Sequence, residues 1–211
     1  MKFAKTLKLG TSVVVLFVSL FFSFNTSGQM KIGDTGKQLD LALKSVDGKS
    51  YSVRDLVEEN GVLVIFSCNT CPFVIGGGGF DGWEKDYREI TRNAKEAGLG
   101  VVFVNSNEAK REDGDSFEDM KKQFNEQKYE APYLYDEKHL LADALGAKTT
   151  PHIYIFDQNE ILIYQGAIDN SWDKQAKKRE NYLLDAISLI QKGKKVKKNN
   201  TSPKGCSIKR I

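Results

Sequence analysis

Two uninterrupted apolar runs limit how this chain can fold: Val62-Leu63-Val64-Ile65-Phe66, and Val101-Val102-Phe103-Val104, which Leu99 and Gly100 precede. Both are short and rich in β-branched residues, as strands are. A run that is apolar at every position has no face to give to water, so each reads as a strand buried on both sides of a sheet. Between them, residues 83–97 are charged and helical in pattern. Strand, helical segment, strand is the order of a βαβ unit.

The rest of the chain fits around that unit. Leu39 to Val46 and Ser50 to Val53 flank Asp47-Gly48, a common dipeptide of tight hairpin turns, and predict a β-hairpin ahead of the main sheet. Residues 107–115, NEAKREDGD, read as a polar loop without periodicity. Ser116 and Asp119 have the S-x-x-D form of a capping box, and Phe117, Met120 and Phe124 follow at helical spacing. A short strand at 133–135 and a small helix at 139–145, stopped by Gly146, come next. Thr149-Thr150-Pro151 then opens a second hairpin, 153–156 and 161–168, turning through Gln158-Asn159. A last helix is predicted from about 174 to 191, where Leu183, Ala186, Ile187 and Ile190 share one face and Gly193 stands just past the end. The expected class is α/β: a central mixed sheet flanked by helices, with an N-terminal hairpin.

The chain has 211 residues. Lys2, Lys5 and Lys8, then the apolar stretch Val13 to Phe24, then the small residues Thr26 and Gly28, read as an export signal over residues 1–28. That stretch of twelve residues falls short of the roughly 20 needed to span a bilayer. The expectation is therefore a cleaved signal and a periplasmic or otherwise extracytoplasmic protein without stable membrane insertion; an uncleaved anchor is the alternative. Residues 29–192 would form one domain and 193–211 a basic tail. Of the 31 basic residues, three lie in 1–28 and eight in 192–211, leaving 20 against 28 acids and a net charge of −8 over 29–191. An acidic domain gives no reason to expect a nucleic-acid partner. The tail keeps Ile208 and Ile211 and is expected to dock on the acidic domain.

Two of the three cysteines, Cys68 and Cys71, stand three residues apart where the first buried strand leaves the sheet. A thiol attacks as the thiolate, and a helix N-terminus favours that form. With Cys68 at the strand exit and Cys71 one helical turn onward, the second sulfur could displace a substrate from the first. The spacing suits making and breaking a disulfide.

Cys68-Asn69-Thr70-Cys71-Pro72 after a buried strand, with Thr150-Pro151 opening a hairpin, resembles the thioredoxin-like superfamily. CNTCPF, VVFVNSNEAKRED, PYLYDE, TTPHIYIFD, YQGAID and the ending GCSIKR are similar to redoxin-type, AhpC/TSA-related proteins of bacteria, over nearly all of residues 35–211. The resemblance implies a thioredoxin-like fold and a thiol–disulfide oxidoreductase. It implies Cys68 as attacking thiol, Cys71 as resolving thiol, and Pro151 as a cis proline facing them. The Thr150 backbone would pair with an extended substrate, Asn69 and Thr70 would contribute to binding, and no cofactor or metal is required. The substrate would be a thiol or disulfide of a protein or small molecule, renewed by a separate redox partner. Two departures stand out: Ser67 occupies the position before the first cysteine where thioredoxins have Trp, and Gly76 to Gly79 fall where the first helix should propagate, each costing about 1 kcal/mol relative to Ala.

Peroxide reduction is the nearest rival. Its P-x-x-x-T-x-x-C pattern fits neither cysteine, because the positions seven and three before them hold Gly61 and Ile65, or Val64 and Cys68. Cu(I) delivery on this fold is a second rival, for which His152 beside Pro151 is the candidate third ligand, but C-x-x-x-C is the spacing generally used there. His152 and His139 otherwise read as ordinary strand and helix residues. A zinc site is marginal on ligand count, and Pro72 excludes haem attachment. Cys206, left over, suggests a free thiol, a partner bridge or a resolving role, and no catalytic part is assigned to it.

Overall fold

The computed structural model describes residues 28–211; Gly28 apart, the expected export signal lies outside the described residues. The centre is a parallel pair, β3 (Gly61–Ser67) and β4 (Leu99–Asn105), buried at every position. Val62, Val64 and Phe66 point into one apolar cluster, and Leu63 and Ile65 into the other. Both faces of the strand are therefore dry, which is why its sequence shows no alternation.

Five more strands complete a mixed sheet. The hairpin β1 (Leu43–Ser45) and β2 (Ser50–Tyr51) forms as predicted, over fewer residues. With β5 (Tyr133–Tyr135), β7 (His152–Phe156) and β8 (Leu162–Gly166) the order is β2-β1-β5-β4-β3-β7-β8. β5 runs parallel to β4, while β7 lies antiparallel to β3 on its other side.

Helices cover both faces. On one, α2 (Tyr87–Glu96) buries Tyr87, Ile90, Thr91 and Ala94, while α3 (Phe117–Glu126) buries Met120 behind the capping box, in which Ser116 Oγ accepts from Asp119 N at 3.0 Å. α5 (Tyr182–Gln191) buries the predicted Leu183, Ala186, Ile187 and Ile190 there too. On the opposite face α4 (Leu140–Leu145) inserts Leu141, Ala142 and Leu145, and Gly146 ends it at φ +69.

The last helix begins at Tyr182 rather than near 174. Residues 174–181 contain one apolar residue, Ala176, so a helix there would have nothing to bury. Instead the Asn170 side chain takes their backbone: its Nδ2 donates to Lys178 O at 2.9 Å and its Oδ1 accepts from Glu180 N at 2.8 Å. This is the competition with helix that short polar side chains offer.

Residues 193–211 wrap back over the domain. Thr201 N donates to Gln165 O at 3.0 Å, and Gly166 permits the approach, since a Cβ there would lie 2.1 Å from Thr201 Oγ1. A two-stranded ladder follows, β6 (Thr149–Thr150) against β9 (Cys206–Ser207), with Thr150 opposite Cys206. Ile208 is buried, and the Arg210 guanidinium donates to Asp143 Oδ1 at 2.7 Å and Ala147 O at 2.6 Å. Among the described residues, no helix is long and apolar enough to cross a membrane.

Candidate active site

The site forms where β3 leaves the sheet. Ser67 ends the strand with its hydroxyl 3.0 Å from Tyr87 Oη, and Cys68 follows. Cys71 does not lie one turn into a helix, as the spacing suggested. Pro72 decides this: it disfavours helical backbone in the residue before it and is itself well suited to the first helical position. Cys71 is accordingly extended, at φ −84 and ψ 123, and caps α1 (Pro72–Ile75). That helix is four residues long. Gly76 to Gly79 all adopt positive φ and break it, turning the chain so that the Phe80 ring meets Trp83 at 4.9 Å. Gly82 closes the turn, since a Cβ there would lie 2.3 Å from Val74 O. So short a helix supplies little dipole, and other groups must set the thiol chemistry.

A buried carboxylate shapes the cysteine loop. Asp115 accepts from Asn69 N at 2.7 Å, Thr70 Oγ1 at 2.8 Å, Asn105 Nδ2 at 2.8 Å and Asn107 Nδ2 at 3.0 Å. Arg111 holds the far side, donating to Asp115 O at 2.9 Å and Asn105 O at 2.8 Å while its guanidinium lies 3.9 Å above the Tyr135 ring. The segment 107–115 is thus not a solvated loop throughout: Asn107 and Asp115 are buried. Sequence reading missed Asp115, Asn105 and Arg111. Asn105 and Arg111 were in view within VVFVNSNEAKRED and Asp115 two residues beyond it, but a polar loop gives no sign of which carboxylate turns inward.

Thr150 stands between the two sulfurs, its Oγ1 3.1 Å from Cys68 Sγ and its carbonyl O accepting from the Cys71 thiol at 3.1 Å. The Thr150–Pro151 peptide bond is cis. Asn69 and Thr70 turn polar atoms inward, to Asp115 and, through Asn69 Oδ1, to Tyr133 Oη at 3.0 Å. Their geometry holds the loop. His152 packs on Tyr154, ring centroids 4.6 Å apart, and on that face of β7 it meets the cluster around Phe66 and Phe156. The cysteines occupy the other cluster, with Ile153 and Ile155, so His152 does not reach them. Burial lowers its pKa to about 3, with the Lys148 charge assisting, and the ring is neutral. Among the described residues no group of three or more His, Cys, Asp or Glu is placed to hold a metal ion.

All three cysteines are free thiols, and two are less accessible than the strand-exit position suggested: Cys68 is 0% and Cys71 3% exposed. The C-terminal strand is the cover, for Cys206 N donates to Cys71 Sγ at 3.4 Å. The two thiols also differ in their electrostatic surroundings. Cys71 is lowered to about 5 by the Cys68 thiol, with further donors from the Cys206 thiol and amide and from Thr150, against its own desolvation. The hydrogen bond of the Cys71 thiol to Thr150 O acts the other way and favours the protonated form. Cys68 is pushed well above the ordinary thiol range, first by burial and then by Cys71. The surroundings thus favour ionisation of Cys71 over Cys68.

With that geometry established, comparisons place the chain. The profile of the AhpC/TSA family matches residues 33–165. The chain belongs to the AhpC/TSA family. An uncharacterized conserved protein from Geobacillus kaustophilus is similar at 30% identity and TM-score 0.75, over 86% of this chain and 93% of that one. The thioredoxin domain of a thiol-disulfide oxidoreductase from Bacteroides vulgatus shares 17% identity and TM-score 0.55, over 77% and 99%. A peroxidoxin from Mycobacterium tuberculosis shares 14% identity and TM-score 0.53, over 78% and 98%. The last two share the fold alone, which is thioredoxin-like. No curated protein matched the sequence.

Asp115→Ala strands several inward donors at once. It is expected to cost about 3 kcal/mol in urea unfolding and to speed alkylation of Cys71 under native conditions; unchanged stability and alkylation would refute the role given to this carboxylate. Thiolate absorbance near 240 nm in the reduced protein should appear as pH rises through about 5. It should vanish in Cys71→Ser; loss in Cys68→Ser with retention in Cys71→Ser would reverse the assignment.

Proposed function

We propose that this AhpC/TSA-family protein is an exported thiol–disulfide oxidoreductase that cycles between a Cys68/Cys71 dithiol and disulfide. The observation that carries the reading is the disposition of the two sulfurs, each 3.1 Å from an oxygen of the one residue Thr150. Two thiols held beside one residue, one of them in surroundings that favour its thiolate, are equipped for exchange.

In the reductive direction the Cys71 thiolate attacks a substrate disulfide. One substrate sulfur joins Cys71, and the other leaves as a thiolate and takes a proton. Cys68 then loses its proton and attacks Cys71 Sγ, forming the Cys68–Cys71 bond and releasing the second substrate sulfur. Two electrons pass to substrate and two protons accompany them. The oxidative direction is the reverse. This order exchanges the parts that family resemblance gives to Cys68 and Cys71, because here the helix starts after Cys71 and the stabilising donors converge on it.

The lowered thiolate serves attack directly. As Cys68 displaces substrate, the Cys71 sulfur passes its bond inward, to the more deeply buried partner. Asn69 and Thr70 support the turn that keeps the two sulfurs together, and Thr150 holds its carbonyl beside the Cys71 sulfur. The substrate class is a protein or small-molecule disulfide, with a separate thiol reductant or oxidant restoring the pair.

An insulin-type disulfide reduction assay tests this. Cys71→Ser, and Cys68→Ser combined with Cys206→Ser, should each lose activity by roughly two orders of magnitude or more. Peroxide consumption that persists in Cys71→Ser would instead make Cys68 a lone peroxidatic thiol and end the exchange reading.

A further inference from the structure

Cys206 received no catalytic part from the sequence, yet it adjoins the site. Its amide donates to Cys71 Sγ at 3.4 Å, and its side chain packs against the cluster that contains Cys71. A second cysteine besides Cys68 therefore stands beside Cys71.

We propose that Cys206 is a third redox thiol, which takes over the disulfide by exchange at Cys71 and carries it to the protein surface. The inference rests on the dithiol reading above and extends it. Three independent features support it. The first is register: Cys206 lies opposite Thr150 in an antiparallel ladder. The C-terminal strand thus occupies the edge where an extended substrate would pair with Thr150, and it puts a cysteine at the position facing the site.

The second is how closely that strand is built to fit. A Cβ at position 205 would lie 2.1 Å from Thr150 O, so the glycine there is what lets the strand lie against β6. The strand is fastened on both sides of Cys206. Before it, the Lys204 ammonium sits 4.3 Å over the Trp172 ring; after it, Ile208 N donates to Lys148 O at 3.0 Å and Lys209 N to Asn107 Oδ1 at 2.9 Å. Asn107 also donates to Asp115, so the carboxylate that shapes the cysteine loop is linked to the strand that covers it.

The third is access. Cys68 and Cys71 are buried, whereas Cys206 is only partly so. An external thiol meets Cys206 first.

The exchange balances without a further oxidant. Starting from the Cys68–Cys71 disulfide, Cys206 gives its proton to solvent and its thiolate attacks Cys71 Sγ. The Cys71–Cys206 bond forms as the Cys68–Cys71 bond breaks, and Cys68 leaves as a thiolate that takes a proton. The oxidation level of the three sulfurs together is unchanged. In the reduced protein Cys206 is raised to about 11, by burial and then by the hydrogen bond and charge of Cys71. Once Cys71 is in a disulfide, the hydrogen bond and charge no longer act on Cys206, and its thiolate becomes easier to form.

Two measurements decide it. Cys68→Ser, oxidised with diamide and mapped by mass spectrometry after acid quench and alkylation, should give an intramolecular Cys71–Cys206 link as its main product. Free thiols or intermolecular dimers alone would overturn the proposal. Wild type equilibrated in a glutathione redox buffer guards against a misfolded variant, and should contain both the 68–71 and the 71–206 links. Finding 68–71 alone removes Cys206 from the cycle and leaves the dithiol reading intact; finding neither link ends both.

Discussion

The Asp115 carboxylate holds together three parts of the chain that have no local reason to meet. Its oxygens take the Asn69 amide and Thr70 hydroxyl from the cysteine loop, and the Asn105 and Asn107 amides from the end of β4. Buried polar groups are costly unless partnered, and here each partner satisfies the other. The loop between Cys68 and Cys71 can therefore leave the sheet without water to solvate it, and the two sulfurs can sit in a dry pocket beside Thr150. Without that carboxylate the position of Cys71 would depend on a four-residue helix ending in a glycine run.

Dryness is also what gives the thiols their unequal character. Burial alone would raise both. Cys71 escapes because donors converge on it from Cys68, Cys206 and Thr150, whereas Cys68 has the thiolate as its neighbour. The same strand that supplies two of those donors shuts the site from solvent. Activation and cover thus come from one segment, residues 205–207, lying along the edge of β6.

Much of the fold was legible in the sequence, and for a definite reason. The strands at 61–67 and 99–105 are buried on both faces, so their apolar runs carry the information locally. The α3 cap and the apolar face of α5 are equally local. The errors lie where a distant residue decides. The last helix starts late because Asn170 captures the backbone of 178 and 180. The unequal surroundings of the two thiols were not legible because Pro72 moves the helix start past Cys71 and because donors arrive from Cys206, 135 residues away in sequence. Asp115 is 45 residues from Thr70, and nothing in NEAKREDGD marks which acid points inward. His152, beside Pro151 in sequence, faces away because alternate residues of a strand point to opposite sides of the sheet.

The central claim is that the sulfurs of residues 68 and 71 form a reversible bond with one another. An equilibrium titration of the full chain against glutathione redox buffers, followed by acid quench, alkylation and intact mass, tests it most directly. The account predicts one two-electron transition, with the loss of two hydrogens per molecule and the linked sulfurs mapping to Cys68 and Cys71 in part or all of the oxidised population. Full alkylation of both thiols at every buffer ratio, or glutathione adducts in place of an internal bond, would contradict it.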